Sequence, residues 1–386
     1  MKFLVILPSI QRGGVESYAL TIASSATVEG WDIHAAFPQT SGTNSLIQDF
    51  VKQGVNYHPL AINDPKTREH RVIREYLPRF IQTILALLEI KPDVVLVSLP
   101  WADQCFGVLF ACALLNIPTA VVFQLISSRF EFSSYKLNLY RWMRTRKQQW
   151  VAVSQTNRQL ICDSFQVPPH EILCIFNGAK ITSVDHCRYE IERSRDQVRQ
   201  ELKIPRNSRI ALTVGRLAPQ KGHSDLIPVI PQLVQEFPDL RFVWVGDGEQ
   251  RDELYNSILD AGIEDKVLLL GQRSDVPRLL QAADLFLFPT HYEGLPFALL
   301  EAMAHRLPIV ASDASSIPEI IEDQVHGRLF QSHDRGHLFE TLRWALQHPE
   351  RMQELSKNAE SRIQEFSEEK MIKETVGLLK KLSGIL

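Results

Sequence analysis

Cysteine is scarce, and its spacing fits no structural role. The 386-residue chain has five, Cys105, Cys112, Cys162, Cys174 and Cys187. The number is odd and no two have CxxC spacing, which argues against a disulfide framework and a structural zinc site and fits a reducing cytosol. Long hydrophobic runs are missing as well: none reaches the roughly 20 residues of a membrane span. The opening MKFLVILPSIQRGG has only a short apolar run ending in Gly-Gly, with no small-residue cleavage site, so it does not read as a secretory signal. There is no excess of positive charge. The net charge is −3 and the pI near 6.5, so no global grip on nucleic acid is expected. Three fingerprints are absent: GxGxxG after the first apolar run, the Walker pattern GxxxxGK[ST], and an obvious DxD-type dyad at a strand end. No clear acid ends the second apolar run either, which counts against a nicotinamide site.

What is present is ordered and repetitive. Apolar residues make up 45% of the chain, ample for globular cores. At roughly 100–200 residues per domain the length favours two. Expected strands lie at 3–7, 32–37, 93–98, 119–123, 150–154 and 172–176, with helices at 15–29, 70–90 and 103–115 between them. From about residue 205 the rhythm restarts, with strands at 209–214, 241–246, 267–271, 284–289 and 308–312. Continuous Val/Ile/Leu runs, each followed by a helix, predict parallel sheets covered on both faces. The fold class is therefore α/β, two doubly wound Rossmann-like domains facing across a cleft lined by strand C-termini. The expected bounds are 1–180, 181–365, and a terminal helix over 366–386 that packs back across the join. That join falls near 177–205, where the turn NGAK precedes the polar HCRYEIERSRDQVRQELK.

Five segments carry chemistry. HYEGLPFALLE (291–301) places Glu293 in a loop and Glu301 inside an apolar helix whose first turn begins at Pro296. A buried carboxylate needs donors: vicinal sugar hydroxyls would serve Glu301, and so would a salt bridge or a solvent-facing position. VGRLAPQKGHSDL (214–226) sets Arg216 and Lys221 at a strand exit beside a helix N-terminus, fit to neutralise a diphosphate or to stand as surface cations. In QRGGVESYAL, Gly13-Gly14 follows the first strand and allows backbone N–H groups to approach a phosphate or sugar. VGDGEQRDEL (245–254) and GQRSDVPRLL (271–280) are further strand-turn-helix units. In the first, Asp247 caps the turn or meets ligand; in the second, a nucleobase would lie against backbone at Arg273 and Val276.

In their order, GRLAPQKG, VGDGE, GQRSDV, FPTHYEGLPFALLEAMA and ASDASSIPEII resemble the nucleotide-sugar domain of retaining GT-B glycosyltransferases of the group 1 (family 4) type, whose signature is Glu-x7-Glu. The resemblance is strongest over 205–330 and extends through RGGVE and WVAVS over most of the chain. It implies that Arg216 and Lys221 hold the donor diphosphate, with Gly14 approaching it from the other domain. It implies further that Glu301 binds the ribose hydroxyls, Glu293 meets the transferred sugar as the catalytic carboxylate, and backbone at Gly294, Leu295 and Pro296 lines that sugar. Arg273 and Val276 would sit by the base. With two cations on the phosphates, no metal and no cofactor are expected beyond the donor substrate. Many members carry a His after the strand that here ends TAVVFQLISS; this chain has Gln124, which can bond an acceptor hydroxyl but cannot act as a base near pH 7. Ser315-Ser316 stands where a glycine is common.

The implied activity is transfer of a hexose-type sugar from a nucleoside diphosphate sugar to an acceptor hydroxyl, with retention, in cell-surface polysaccharide or glycolipid assembly. UDP heads the UDP, GDP and ADP carriers that stay open. A nucleotide-sugar isomerase or phosphorylase on the same plan, or a non-catalytic nucleotide-sugar-binding protein, are the alternatives. Residues 134–150, SYKLNLYRWMRTRKQQW, interleave Lys136, Arg141, Arg144, Arg146 and Lys147 with Tyr135, Tyr140, Trp142 and Trp150. Such a helix lies on an anionic membrane, suiting a lipid-linked acceptor, or simply presents a solvated basic face. The expected location is cytoplasmic, peripheral on the inner face of the membrane.

Overall fold

The computed structural model describes residues 1–10, 12–62, 72–181 and 188–384. The first two residues of the expected helix 70–90, residues 182–187 of the join with Cys187, and residues 385 and 386 lie outside the described residues. The chain divides into two compact units, Met1–Asn177 with Glu369–Leu386, and Gly178–Glu368. The first unit thus ends at Asn177 rather than residue 180, and its terminal segment begins at Glu369 rather than 366. Backbone pairing accounts for the shift: Ala179 N–H donates to Phe366 O (3.0 Å) and Glu368 N–H to Ala179 O (2.9 Å), tying both stretches to the second unit.

In the first unit the strands are Lys2–Ile6 (β1), Asp32–Phe37 (β2), Asn56–Pro59 (β3), Val94–Leu99 (β4), Thr119–Phe123 (β5), Gln148–Ala152 (β6) and Ile172–Cys174 (β7). They form a parallel sheet in the order β3-β2-β1-β4-β5-β6-β7. Burial on both faces explains the unbroken apolar runs: all of β4 and β5 is buried. Phe123, Tyr140, Trp150 and Phe165 pack edge-to-face in the core. The helix Glu368–Ser383 docks here, its Thr375 hydroxyl 3.2 Å from that of Tyr18.

The second unit has Arg209–Val214 (β8), Leu240–Val245 (β9), Val267–Leu269 (β10), Leu285–Phe288 (β11), Ile309–Ser312 (β12) and Arg328–Phe330 (β13). Their order is β10-β9-β8-β11-β12-β13, again parallel. The helix Arg188–Glu201 is bound to this sheet through Arg195 and Arg199, which grip Asp284 at 2.5 and 2.9 Å. β3 and β13 were not expected. Both are short edge strands, and NYHP has neither an apolar run nor a closed-in face to betray it. No helix among the described residues is long and apolar enough to cross a membrane.

Candidate active site

In each sheet the strand order reverses once, between β1 and β4 and between β8 and β11. At such a reversal the loops leaving the two central strands part in opposite directions and open a crevice at the strand C-termini. The loops leaving β8 and β11 are 215–222 and 289–296, the two richest in candidate residues.

These loops are bolted together. His291 N–H donates to Gln220 O at 2.8 Å, Gln220 Nε2 to Tyr292 O at 2.8 Å, and Thr290 Oγ1 to Gln220 O at 3.1 Å. Gly222 makes the approach possible: its φ is +67°, and a Cβ there would lie 1.9 Å from the Pro289 carbonyl oxygen. Gly246 plays a matching part after β9, at φ +140° against the Gly215 carbonyl. Asp247 accepts from its neighbour Gly248 N–H at 2.8 Å, the turn role.

The result is a close pair. Lys221 Nζ lies 2.5 Å from Glu293 Oε1, their side chains 18% and 7% exposed. Thr290 Oγ1 donates to the same oxygen at 2.8 Å, and the ammonium sits 5.4 Å from the centroid of the Phe288 ring. The cation expected on phosphate and the acid expected on sugar therefore hold each other in the protein alone. Arg216, at the same strand exit, has no hydrogen bond or ion pair among the described residues.

Gly294, Leu295 and Pro296 are buried behind this pair. The helix begins at Phe297, not Pro296. Pro296 is the cap, with ψ 119°, because its extended backbone turns the chain out of the loop before the helix can start. Glu301 is the fifth helical residue, half-buried among Leu299, Leu300, Ala302 and Met303. Its carboxylate makes no hydrogen bond or ion pair among the described residues, so the salt-bridge alternative drops out. Burial, and secondarily Glu368, push its pKa up to about 7.

Arg273 is committed elsewhere. It grips Asp275 through two bonds of 2.7 and 2.8 Å and Glu201 through one of 2.8 Å. These bonds hold its own proton more tightly than usual and commit the guanidinium to protein acids. Val276 opens the helix Val276–Ala282, half-buried. Ser315 adopts φ +48°, in the left-handed region that glycine enters without steric cost.

In the first unit, Gly14 is the exposed first residue of the helix Gly14–Val28, with Gly13 extended before it. Gln124 is buried. Its Oε1 accepts from Asn177 Nδ2 at 3.2 Å, and its Nε2 donates to Ser98 Oγ at 3.4 Å. Its amide is thus part of a protein network rather than turned outward. The basic segment also differs from expectation: Tyr140 and Trp150 are core residues, Trp142 packs on Phe110, and only Tyr135 is well exposed. Arg144 pairs with Glu171, Arg141 bonds Gln166 at 2.8 Å, and Arg146 covers Trp142.

Two residues escaped the sequence reading. Thr290 carries the signal of a hydroxyl directly after a strand-ending proline. His223, wholly buried against Trp244, has none; burial, and then Lys221, drive its pKa down to about 3, so it is neutral. A cavity of about 360 Å³ opens by Ile210, Asp284 and Pro308, at the strand N-termini, the wrong edge for these residues.

Two parallel α/β units, each with one reversal and with the motif loops at strand C-termini, define the GT-B class. Family models tile the chain: Glycosyltransferase Family 4 matches residues 12–182, and the glycosyl transferases group 1 match residues 194–362. The chain belongs to the group 1 glycosyltransferases. It is 30% identical over 188 residues to an Escherichia coli UDP-Gal:alpha-D-GlcNAc-diphosphoundecaprenol alpha-1,3-galactosyltransferase, covering 48% of this chain and 47% of that protein. It is 37% identical over 143 residues to the amylovoran biosynthesis glycosyltransferase AmsK of Erwinia amylovora, 35% of this chain and 33% of that one. The chain thus spans about a third to three fifths of the length of the curated relatives it matches. In fold it superposes on HepE of Anabaena, solved with UDP and glucose, with a TM-score of 0.81 at 20% identity over 99% of this chain and 100% of that one. WaaG, a glycosyltransferase involved in lipopolysaccharide biosynthesis, gives 0.73 at 16% identity over 98% and 99%.

Proposed function

We propose that this protein is a retaining glycosyltransferase that moves a hexose-type sugar from a nucleoside diphosphate sugar to an acceptor hydroxyl, in the assembly of a cell-surface polysaccharide or glycolipid. The observation that carries the reading is the Lys221–Glu293 pair at the reversal between β8 and β11, with Arg216 at the same strand exit and, further along the same motif, a Glu301 carboxylate that makes no bond among the described residues. A diphosphate brings negative charge that competes with Glu293 for Lys221 and engages Arg216. Glu293, released, accepts from sugar hydroxyls, and Glu301 takes the ribose diol. The two cations then stabilise charge building on the departing diphosphate, whose oxygen takes the acceptor proton as the acceptor attacks from the same face. This scheme needs no protein base, in keeping with a Gln124 amide already bonded to Ser98 and Asn177.

UDP is the first carrier to try, since HepE was solved with it, and a lipid-linked acceptor matches the diphosphoundecaprenol in the name of the E. coli relative. The outward charges of 134–150, Arg146 and Lys147 among them, support electrostatic contact with anionic lipid; vesicle co-sedimentation unchanged by their neutralisation removes that part. The main test presents UDP, GDP and ADP sugars to the purified protein, with and without acceptor. Donor-dependent product of unchanged anomeric configuration is expected, and Glu293→Ala abolishes transfer while nucleotide still raises the melting temperature. Donor conversion without acceptor means an isomerase instead, and full transfer by Glu293→Ala removes the assigned role.

A further inference from the structure

We propose that Asp225, His291 and His333 form a binding site for one divalent transition-metal ion, Zn²⁺ by preference, within the second unit. The three come from separate parts of the chain. Asp225 lies in the short helix His223–Leu226, His291 in the loop after β11, and His333 in the loop between β13 and the helix Arg335–Gln347. One ligand atom from each lies within 4.8 Å of the other two. His291 Nε2 is 2.7 Å from Asp225 Oδ2, and the two imidazole rings lie 3.9 Å apart, centroid to centroid.

The donor set decides the class of ion. Two imidazole nitrogens and one carboxylate oxygen suit zinc and its first-row neighbours, whereas magnesium and calcium take oxygen ligands. Three protein ligands leave a fourth tetrahedral position for water. Asp225 Oδ1 already accepts from Arg335 Nε at 3.0 Å, so Oδ2 is the ligating oxygen and Arg335 orients the carboxylate from behind. With bonds of about 2.0–2.2 Å, tetrahedral ligands stand roughly 3.3 Å apart; the His291–Asp225 contact must open by about half an ångström, within the reach of side-chain rotation.

The His291–Asp225 hydrogen bond alone accounts for two of the three residues. It does not account for His333, which is exposed yet does not swing free. Its loop is tethered on both sides: Ser332 N–H donates to Asp313 Oδ1 at 2.8 Å, Gln331 N–H to His337 Nδ1 at 3.0 Å, and His337 N–H to the capping Asp334 at 2.9 Å. Between these tethers His333 adopts φ +64°, which turns it onto His291.

The consequence is positional. His291 stands two residues before Glu293, and its N–H bonds Gln220, the neighbour of Lys221. A metal here fastens the loop that presents the Lys221–Glu293 pair without touching either member.

The test uses tag-free, chelator-stripped full-length protein titrated with ZnCl₂, and with CoCl₂ followed by its visible spectrum. One equivalent should bind with a dissociation constant of about 1 μM or tighter, with a rise in melting temperature that MgCl₂ does not give. His333→Ala, at an exposed position, should fold normally and bind about tenfold or more weakly; Asp225→Asn should do the same. A second histidine pair, His34 with His58 at 2.8 Å in the first unit, provides the control: His58→Ala should leave zinc binding unchanged. No saturable site, wild-type affinity in His333→Ala and Asp225→Asn, or loss of the site in His58→Ala each overturns the proposal.

Discussion

Glu301 puts a carboxyl group where charge is costly and, among the described residues, has no donor. Burial first and Glu368 second push its pKa up to about 7 from an ordinary 4.5. Between those values the folded protein holds a proton that the unfolded chain has released. Its contribution to stability is therefore fully present below pH 4.5 and is lost as pH rises through 7. The gap corresponds to about 3 kcal/mol at most. Glu301→Gln removes the titration: it should be more stable than the native protein at pH 8, by up to about 3 kcal/mol, and no more stable at pH 4.5. Denaturant unfolding at the two pH values measures this, and an equal effect at both contradicts it. The same variant should bind nucleotide more weakly, since an amide oxygen accepts from a diol less strongly than a carboxylate.

At the scale of the element, the loops after β8 and β11 matter as a bonded pair. Gly222 is where they touch. Alanine there would meet the Pro289 carbonyl and a left-handed φ together, a combined cost of about 2–4 kcal/mol. Because Lys221 is the adjacent residue, Gly222→Ala should also lower donor affinity, whereas Gly262→Ala, at φ +64° with nothing within 4 Å of its Cβ, carries the backbone cost alone. Thermal unfolding with and without UDP separates the two. Much of this was legible in the sequence. Central strands such as TAVVF and RIALTV announce themselves because burial on both faces demands unbroken apolar runs. The edge strands β3 and β13 do not, since an edge needs neither length nor apolarity. For the site, the motifs place Lys221 and Glu293 each at a strand exit, but that the two strands are neighbours and that the side chains pair is three-dimensional and leaves no trace in spacing. Arg273 shows the same limit: Glu201, one of the two acids that engage it, lies on a helix 72 residues earlier.

For the whole molecule, the chain passes between its units twice, at 177/178 and 368/369, and the second passage returns a helix to the first unit. That helix buries Met371, Val376, Leu378 and Leu379, and Lys380 pairs with Glu29 at 2.7 Å. Four buried side chains at about 1.5–3 kcal/mol each amount to roughly 6–12 kcal/mol as an upper bound, against a net stability of about 5–15 kcal/mol for a domain. Deleting residues 369–386 should thus unfold or loosen the first unit while sparing the second, which keeps its own sheet and core. Hydrogen exchange resolves the two: protection should collapse across 1–177 and persist across 209–330, and UDP should still stabilise the surviving unit. Leu379→Ala, with Leu379 fully buried, is the milder form, costing about 2–5 kcal/mol in the first unit alone. Loss of protection spread evenly over both units would mean that the terminal helix supports the second unit as well, and full protection of 1–177 without it would mean that the first unit closes its core unaided.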